Sequence, residues 1–228
     1  MKKIFIIIFA LFLFIYPSAQ TPQELIGKIK AKLEKVDDYT ARGKLKTNVV
    51  FIKAPIASVK VYYKKPDKMK IVNENGISFI PKGSVNINLA KCLSGSGNYE
   101  IVDAGTEPAT GLRILKLLPS DENSEIVLST LYIDEKAELI KKAKNTTRDN
   151  GTYELEMSYG KYITHSLPDK VIFSFNTKDY KLPKGVTFDY DDGKEKKPAE
   201  DLKNKKGKVE ITYTEYLINK GVNDAVFK

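Results

Sequence analysis

The sequence holds no tryptophan, one cysteine and one histidine in 228 residues. A single cysteine excludes an internal disulfide framework and any site built from several thiolates. A single histidine excludes a histidine-rich metal centre and leaves little material for acid–base chemistry near neutral pH. No nucleophile elbow, Walker loop, dinucleotide-binding glycine fingerprint or His-Glu-x-x-His motif occurs. Cys92 and His165 could pair as nucleophile and base, but any chain with one of each offers that pair. Asp189, Asp191 and Asp192 lack the spacing of a calcium loop. The expectation is a protein that is not an enzyme and that uses neither metal nor cofactor.

Charge of one sign predominates. Lys and Arg number 38 against 29 Asp and Glu, for a formal charge of +9 and a pI near 9.3. Such an excess points to nucleic acid, an anionic membrane or an acidic protein. The first twenty residues decide among these. Lys2 and Lys3 precede an apolar run from Ile4 to Ile15, and Ser18-Ala19-Gln20 follows. This is the layout of a secretory signal peptide, and the run is shorter than the about 20 residues a spanning helix needs. The expectation is removal of 1–20 after Ala19 or Gln20, leaving 21–228 as one domain outside the cytoplasm. Export argues against nucleic acid as a partner. The only cysteine, Cys92, lies far from the cleavage site, so no lipid anchor is expected.

Thr21-Pro22-Gln23-Glu24 reads as a capped helix start. Leu25, Ile26, Ile29, Leu33 and Val36 then follow at helical spacing. From Tyr39 the period becomes 2, and Tyr39 to Phe51 reads as a half-buried strand. Further strands are expected around Val59–Tyr63, Met69–Ile71, Ile77–Ile80, Val85–Leu89, Tyr99–Val102, Leu112–Leu117, Ile126–Ile133, Leu139–Thr147, Tyr153–Tyr159, Val171–Phe175 and Val209–Tyr213. Asn75-Gly76 and Asn150-Gly151 mark hairpin turns. Asp191 to Lys208 is charged and aperiodic, and reads as a surface loop that could touch membrane or partner. The pattern predicts a mainly β (α+β) fold with roughly ten antiparallel strands, apolar on one face, with the amphipathic helix covering that face.

Several blocks, taken in order, resemble the LolA family of lipoprotein carriers. They are the helix Leu25–Val36 running into Asp37-Asp38-Tyr39, the segment Tyr62-Tyr63-Lys64-Lys65-Pro66-Asp67-Lys68-Met69, the hairpin Asn73-Glu74-Asn75-Gly76, the block Leu182-Pro183-Lys184-Gly185-Val186, and the closing Asn219–Phe227. The resemblance implies an incomplete antiparallel β-barrel with a helical lid over an apolar cavity. It also implies a periplasmic carrier that shields the acyl chains of a lipoprotein or other lipid between two membranes, contributing to outer-membrane biogenesis. An inner-membrane releasing complex and an outer-membrane acceptor would be its partners, with transient membrane contact. Sister families with this fold include sensor or regulatory domains that bind lipid or protein without catalysis, and these form the alternative.

On this reading the cavity would be lined by Leu45, Val49, Val61, Tyr63, Met69, Ile71, Leu155, Met157, Phe173 and Phe175. The family places an Arg before the motif's Pro, where it holds the lid closed. Here that position is Lys65, which lacks Arg's rigid fork of donors. The lid lock is therefore assigned to Lys65, Arg42 or Arg113.

Overall fold

The computed structural model describes residues 20–48, 56–66, 68–74, 99–149, 151–176 and 206–227. The expected signal segment therefore lies outside the described residues. So do Val49, Cys92, the strands 77–80 and 85–89, the block 182–186 and most of the charged stretch 191–208.

Helix α1 spans Pro22–Leu33 and starts as its sequence dictates. The Thr21 hydroxyl accepts from the Glu24 amide at 3.2 Å, and the Glu24 carboxylate accepts from the Thr21 amide at 3.0 Å. Two otherwise orphaned donors are thereby satisfied. These bonds also hold the Glu24 carboxyl below its ordinary range, the Thr21 backbone bond being the largest cause. Leu25, Ile26 and Ile29 form the buried stripe. The helix ends three residues before Val36, the expected end of the stripe. A tight turn, closed by the Val36 amide on the Leu33 carbonyl, still carries Val36 into the core.

Ten strands follow among the described residues: β1 (Asp38–Asn48), β2 (Ala57–Lys64), β3 (Lys68–Asn73), β4 (Tyr99–Thr106), β5 (Arg113–Pro119), β6 (Ile126–Asp134), β7 (Leu139–Thr147), β8 (Gly151–Ser158), β9 (Lys170–Asn176) and β10 (Lys206–Ile218). They form one antiparallel sheet in the order β3-β2-β1-β10-β9-β8-β7-β6-β5-β4. Two meanders, β1 to β3 and β4 to β10, are thus joined where β10 pairs with β1. Among the described residues β3 and β4 are the edge strands, and no pairing between them closes the sheet. The result is an incomplete barrel, and strand twist over this many strands makes such a sheet curl.

The paired register puts one residue type on each side. Gly43, Leu45, Val59 and Val61 of β1 and β2 are buried, whereas Arg42, Lys44 and Lys46 are exposed. β10 departs from simple alternation. Its register with β1 shifts between Arg42 and Gly43, so Gly43 faces Tyr213 while Ala41 faces Tyr216. The bulge turns both tyrosines inward and leaves Leu217 half exposed on the other face. β10 also starts earlier than the sequence pattern indicates: Lys206 to Lys208 belong to the strand and not to the charged loop, because they pair with Ser174 to Asn176 of β9.

Candidate functional site

The inner face of the sheet is the most coherent chemical feature of the molecule. Cross-strand pairing aligns Phe173, Leu155, Ala143, Leu131 and Leu115 across five neighbouring strands. The next row runs Phe175, Tyr153, Asn145, Ser129, Leu117 and Ile101. On the other side of β10, Ile71, Val61 and Ala41 continue the surface. These residues belong to one contiguous apolar cluster, joined by Leu25, Ile26 and Ile29 of α1. One polar spot interrupts it: the Ser129 hydroxyl donates to Asn145 Oδ1 at 2.7 Å, with both side chains buried.

Nine of the ten residues selected from sequence can be placed. Leu45, Val61, Tyr63, Leu155, Met157, Phe173 and Phe175 are buried on this face, while Met69 and Ile71 are half-buried near the β3 edge. Val49 lies outside the described residues. Sequence reasoning passed over Leu115, Leu117, Leu131, Ile133 and Ile211, all at most 2% exposed. Their signal was present, since each alternates with polar or exposed neighbours along its strand.

Helix α1 spans this face and is tied at both ends. At its N-terminal end, Arg113 of β5 donates to the Gln20 carbonyl at 2.7 Å. The same guanidinium grips Asp103 at 2.8 Å and Glu135 of the β6–β7 turn. The Arg113 bond is the largest cause of the lowered Asp103 pKa, followed by the Gly105 amide. In the helix's last turn, Lys32 donates to the Ala137 carbonyl at 2.8 Å and pairs with Glu138 at 2.7 Å. At the C-terminal end, Lys65 of the β2–β3 turn donates to the Glu34 carbonyl and pairs with Asp37 at 2.9 Å. The helix therefore bridges the two flanks of the open sheet. Arg42 takes no part in this: it reaches toward Glu74 and Glu215 from the outer face, at 3.9 and 3.8 Å. Its even position in β1 puts it opposite Ala41 and Gly43, and so away from the helix.

The return from α1 into β1 is fixed by Asn219, which adopts a positive φ of 53°. Its side chain accepts from the Asp37 amide and donates to the Lys35 carbonyl, both at 2.8 Å. Beneath this junction sits a cluster of tyrosines that sequence reasoning did not assemble. Tyr39 stacks on Tyr63 at 5.1 Å, and Tyr216 meets Tyr39, Tyr162 and Tyr213 at 5.2, 4.9 and 4.9 Å. The Tyr216 hydroxyl donates to the Pro168 carbonyl at 2.8 Å. Burial above all pushes the Tyr39, Tyr213 and Tyr216 phenols well up, so they stay neutral. The β10 bulge brings this cluster together, and a bulge leaves no mark on simple alternation.

Two features bear on catalysis. Among the described residues no group of His, Cys, Asp and Glu is arranged to hold a metal ion. His165 lies in a short 3₁₀ turn with its Nδ1 3.1 Å from the Thr164 hydroxyl. A cleft of about 430 Å³ opens beside the Arg113 clamp, lined by Gln20, Asp103, Thr106, Glu135 and Lys136 among others. Four of its lining residues, Asp103, Arg113, Glu135 and Lys136, are ionisable. No helix among the described residues is long and apolar enough to cross a membrane.

No family model and no curated protein matches the sequence. Solved structures do match in fold. A domain from Vibrio parahaemolyticus described as outer membrane lipoprotein-sorting superposes with a TM-score of 0.57 at 12% identity, covering 90% of this chain and 94% of that one. A LolA superfamily protein from Nitrosomonas europaea gives 0.56 at 10% identity, covering 92% and 98%. A DUF1329 family protein from Desulfovibrio piger gives 0.52 at 12% identity, covering 90% and 95%. The chain has a LolA-like fold.

Proposed function

We propose that this chain is a non-catalytic carrier that holds the acyl chains of a lipoprotein, or of another lipid, against the inner face of its open sheet. The carrying observation is the continuous apolar surface from β1 to β9, closed to water by a helix that is tethered by polar contacts at its two ends. A structural core needs no such arrangement. A cover that must lift does, because polar tethers can exchange with water when apolar contacts cannot.

The magnitudes are compatible with exchange. Uncovering Leu25, Ile26 and Ile29 costs about 2 kcal/mol for each side chain. An acyl chain gains about 0.8 kcal/mol for each methylene withdrawn from water. About eight buried methylenes therefore offset the three helix side chains, so one ordinary acyl chain can take the place of the helix stripe. Leu45, Val61, Tyr63, Met69, Ile71, Leu155, Met157, Phe173 and Phe175 would form the lipid-contacting surface, with Lys65 and Arg113 as the two locks. No step of this cycle involves a covalent change, so no catalytic residue is assigned.

The proposed setting is the periplasm after removal of 1–20, with an inner-membrane complex loading the carrier and an outer-membrane acceptor emptying it. The sequence of Lys2 to Gln20 and the folds of the matching structures support this reading. Native mass spectrometry of the protein purified from its own cells tests it. A bound mass that fragments to fatty acyl products is expected, and protein that is always bare, even when purified without detergent, would overturn the proposal.

A further inference from the structure

Charges on the outer face are not distributed evenly. On β7 and β8, Lys144 lies opposite Glu154, and Lys142 approaches Glu154 at 3.9 Å. Between β9 and β10, Lys170 pairs with Glu210 at 3.2 Å. Signs alternate there, and the surface field largely cancels. The outer face of β1, β2 and β3 differs. Register puts Arg42 beside Lys60, Lys44 beside Ser58 and Lys64 beside Lys68. Lys46 lies opposite Glu210, whose carboxylate is engaged by Lys170.

Glu74 and Glu215 answer Arg42, while Asp224 answers Lys64 and Lys68 together. Among the described residues no carboxylate lies within ion-pair distance of Lys44, Lys46 or Lys60. Lys44 and Lys46 are exposed, and Lys60 lies over the Tyr62 ring at 5.3 Å. Apolar groups stand within the same patch: Ile56 is 63% exposed just before β2, and Val72 on β3 is 38% exposed beside Lys60.

We propose that this outer face of β1 to β3 docks the protein on a membrane surface rich in anionic phospholipid headgroups. Three strands at about 4.8 Å spacing and four two-residue steps make a patch roughly 10 Å by 25 Å. Such an area exceeds the screening length of about 8 Å at physiological salt, so its charges act together on a charged plane. The shape also favours a membrane over a folded acidic protein. Among the described residues β3 is the edge of the sheet, and the patch is a strand surface bearing long flexible lysines. A headgroup layer conforms to such a surface, and Tyr62, Ile56 and Val72 supply the amphipathic and apolar contacts that interfaces accept.

The patch faces away from α1. Docking through it leaves the helix free to move. The inference goes beyond the carrier reading and stands independently of it, because the lysines and the inner face lie on opposite sides of the sheet.

Sedimentation of the full chain with vesicles tests the proposal. Phosphatidylglycerol mixed with phosphatidylcholine should bind the protein, and phosphatidylcholine alone should not. Binding should vanish at about 0.5 M salt, where screening shortens to below roughly 5 Å. The triple variant K44E/K46E/K60E should bind at least about tenfold more weakly. The double variant K116E/K144E, on the outer face of β5 and β7, should bind nearly as the parent does. Should charge reversal lower the melting temperature, K44Q/K46Q/K60Q carries the test, with a smaller loss in the same direction. Equal binding to both vesicle types, or equal losses in the β1–β2 and β5/β7 variants, would overturn it. Capture of an acidic protein without any preference for phosphatidylglycerol would also overturn it.

Discussion

Replacing Arg113 with Ala should release one end of helix α1 while leaving the sheet in place. The side chain is 13% exposed and holds three acceptors: Asp103 at 2.8 Å, the Gln20 carbonyl at 2.7 Å and Glu135. Buried charge-assisted bonds contribute about 1.5–3 kcal/mol each. The two carboxylates, however, are 41% and 45% exposed. They regain water when the cation leaves, so each pair is discounted to at most about 1 kcal/mol. With the bond to Gln20 and the lost packing of the stem, the total is about 2 kcal/mol. For a domain of this size that lowers the melting temperature by roughly 4–8 °C.

The location of the effect is the sharper reading. About 1.4 kcal/mol taken from the helix tether alone speeds local opening tenfold. Hydrogen–deuterium exchange followed by mass spectrometry should show the peptide 22–33 exchanging about tenfold faster, with the β8 and β9 peptides much less affected. Arg113→Lys should fall between, having the charge without the fork. The pH dependence has a defined sign. The Asp103 carboxyl is held below its ordinary value, so its contribution is complete above about pH 4, the unfolded carboxylate range. It is lost as pH falls through the depressed folded value. Equal acceleration in α1 and in β8–β9, or none in α1, would refute the reasoning that Arg113 acts as a tether.

Other outcomes follow from single positions. Asp224 bridges Lys64 and Lys68, which hold its carboxyl at about 2. In denaturant titrations the parent should exceed Asp224→Asn in stability by a constant margin above about pH 4, and that margin should vanish as pH falls through the folded value. Gly43 faces the β10 bulge, and a Cβ there would meet the Thr212 carbonyl oxygen at 2.6 Å. Gly43→Ala should therefore cost about 1–3 kcal/mol in chemical denaturation, and an unchanged midpoint would mean the β1–β10 register is wrong. Asn219→Ala removes three backbone-directed hydrogen bonds, one of them long, at a positive φ and should cost about 2 kcal/mol. Asn219→Gly should recover only the backbone part, read as an intermediate melting temperature.

Much of this architecture was legible because its signals are local. The capping box at Thr21 and Glu24 announces α1, and the switch from period 3.6 to period 2 at Tyr39 announces β1. Leu139 to Thr147 has the same bounds in sequence and in structure. What escaped depends on partners distant in sequence. The bulge that aims both Tyr213 and Tyr216 inward is a property of the β1–β10 register, so strict alternation assigns Tyr216 to the wrong side. For the same reason the early start of β10 was hidden: Lys206 and Lys208 look like loop residues until β9 pairs with them.

The candidate tethers of α1 divide along the same line. Lys65 and Arg113 were both selectable, as a motif position and as a lone arginine in a strand. Alternation along β1 already puts Arg42 on the outer face, whereas the contacts of Lys65 and Arg113 with the ends of α1 emerge only from the fold. Leu115, Leu131 and Ile211 were overlooked as site residues because nothing in the chain order says that β5, β6 and β10 share one surface with β2. Their burial follows from the pairing of the ten described strands into one sheet.

The central claim is that acyl chains occupy the inner face when α1 lifts. Photocrosslinking reads this directly. A fatty acyl probe carrying a diazirine near the chain end is incubated with the protein, irradiated, and the labelled peptides identified. The account predicts labels on the inner-face strands, around Leu131, Leu155 and Phe173, increased by Arg113→Ala and competed by unlabelled acyl chain. Labels confined to the outer face, or inner-face labelling that does not respond to loss of the Arg113 tether, would contradict it.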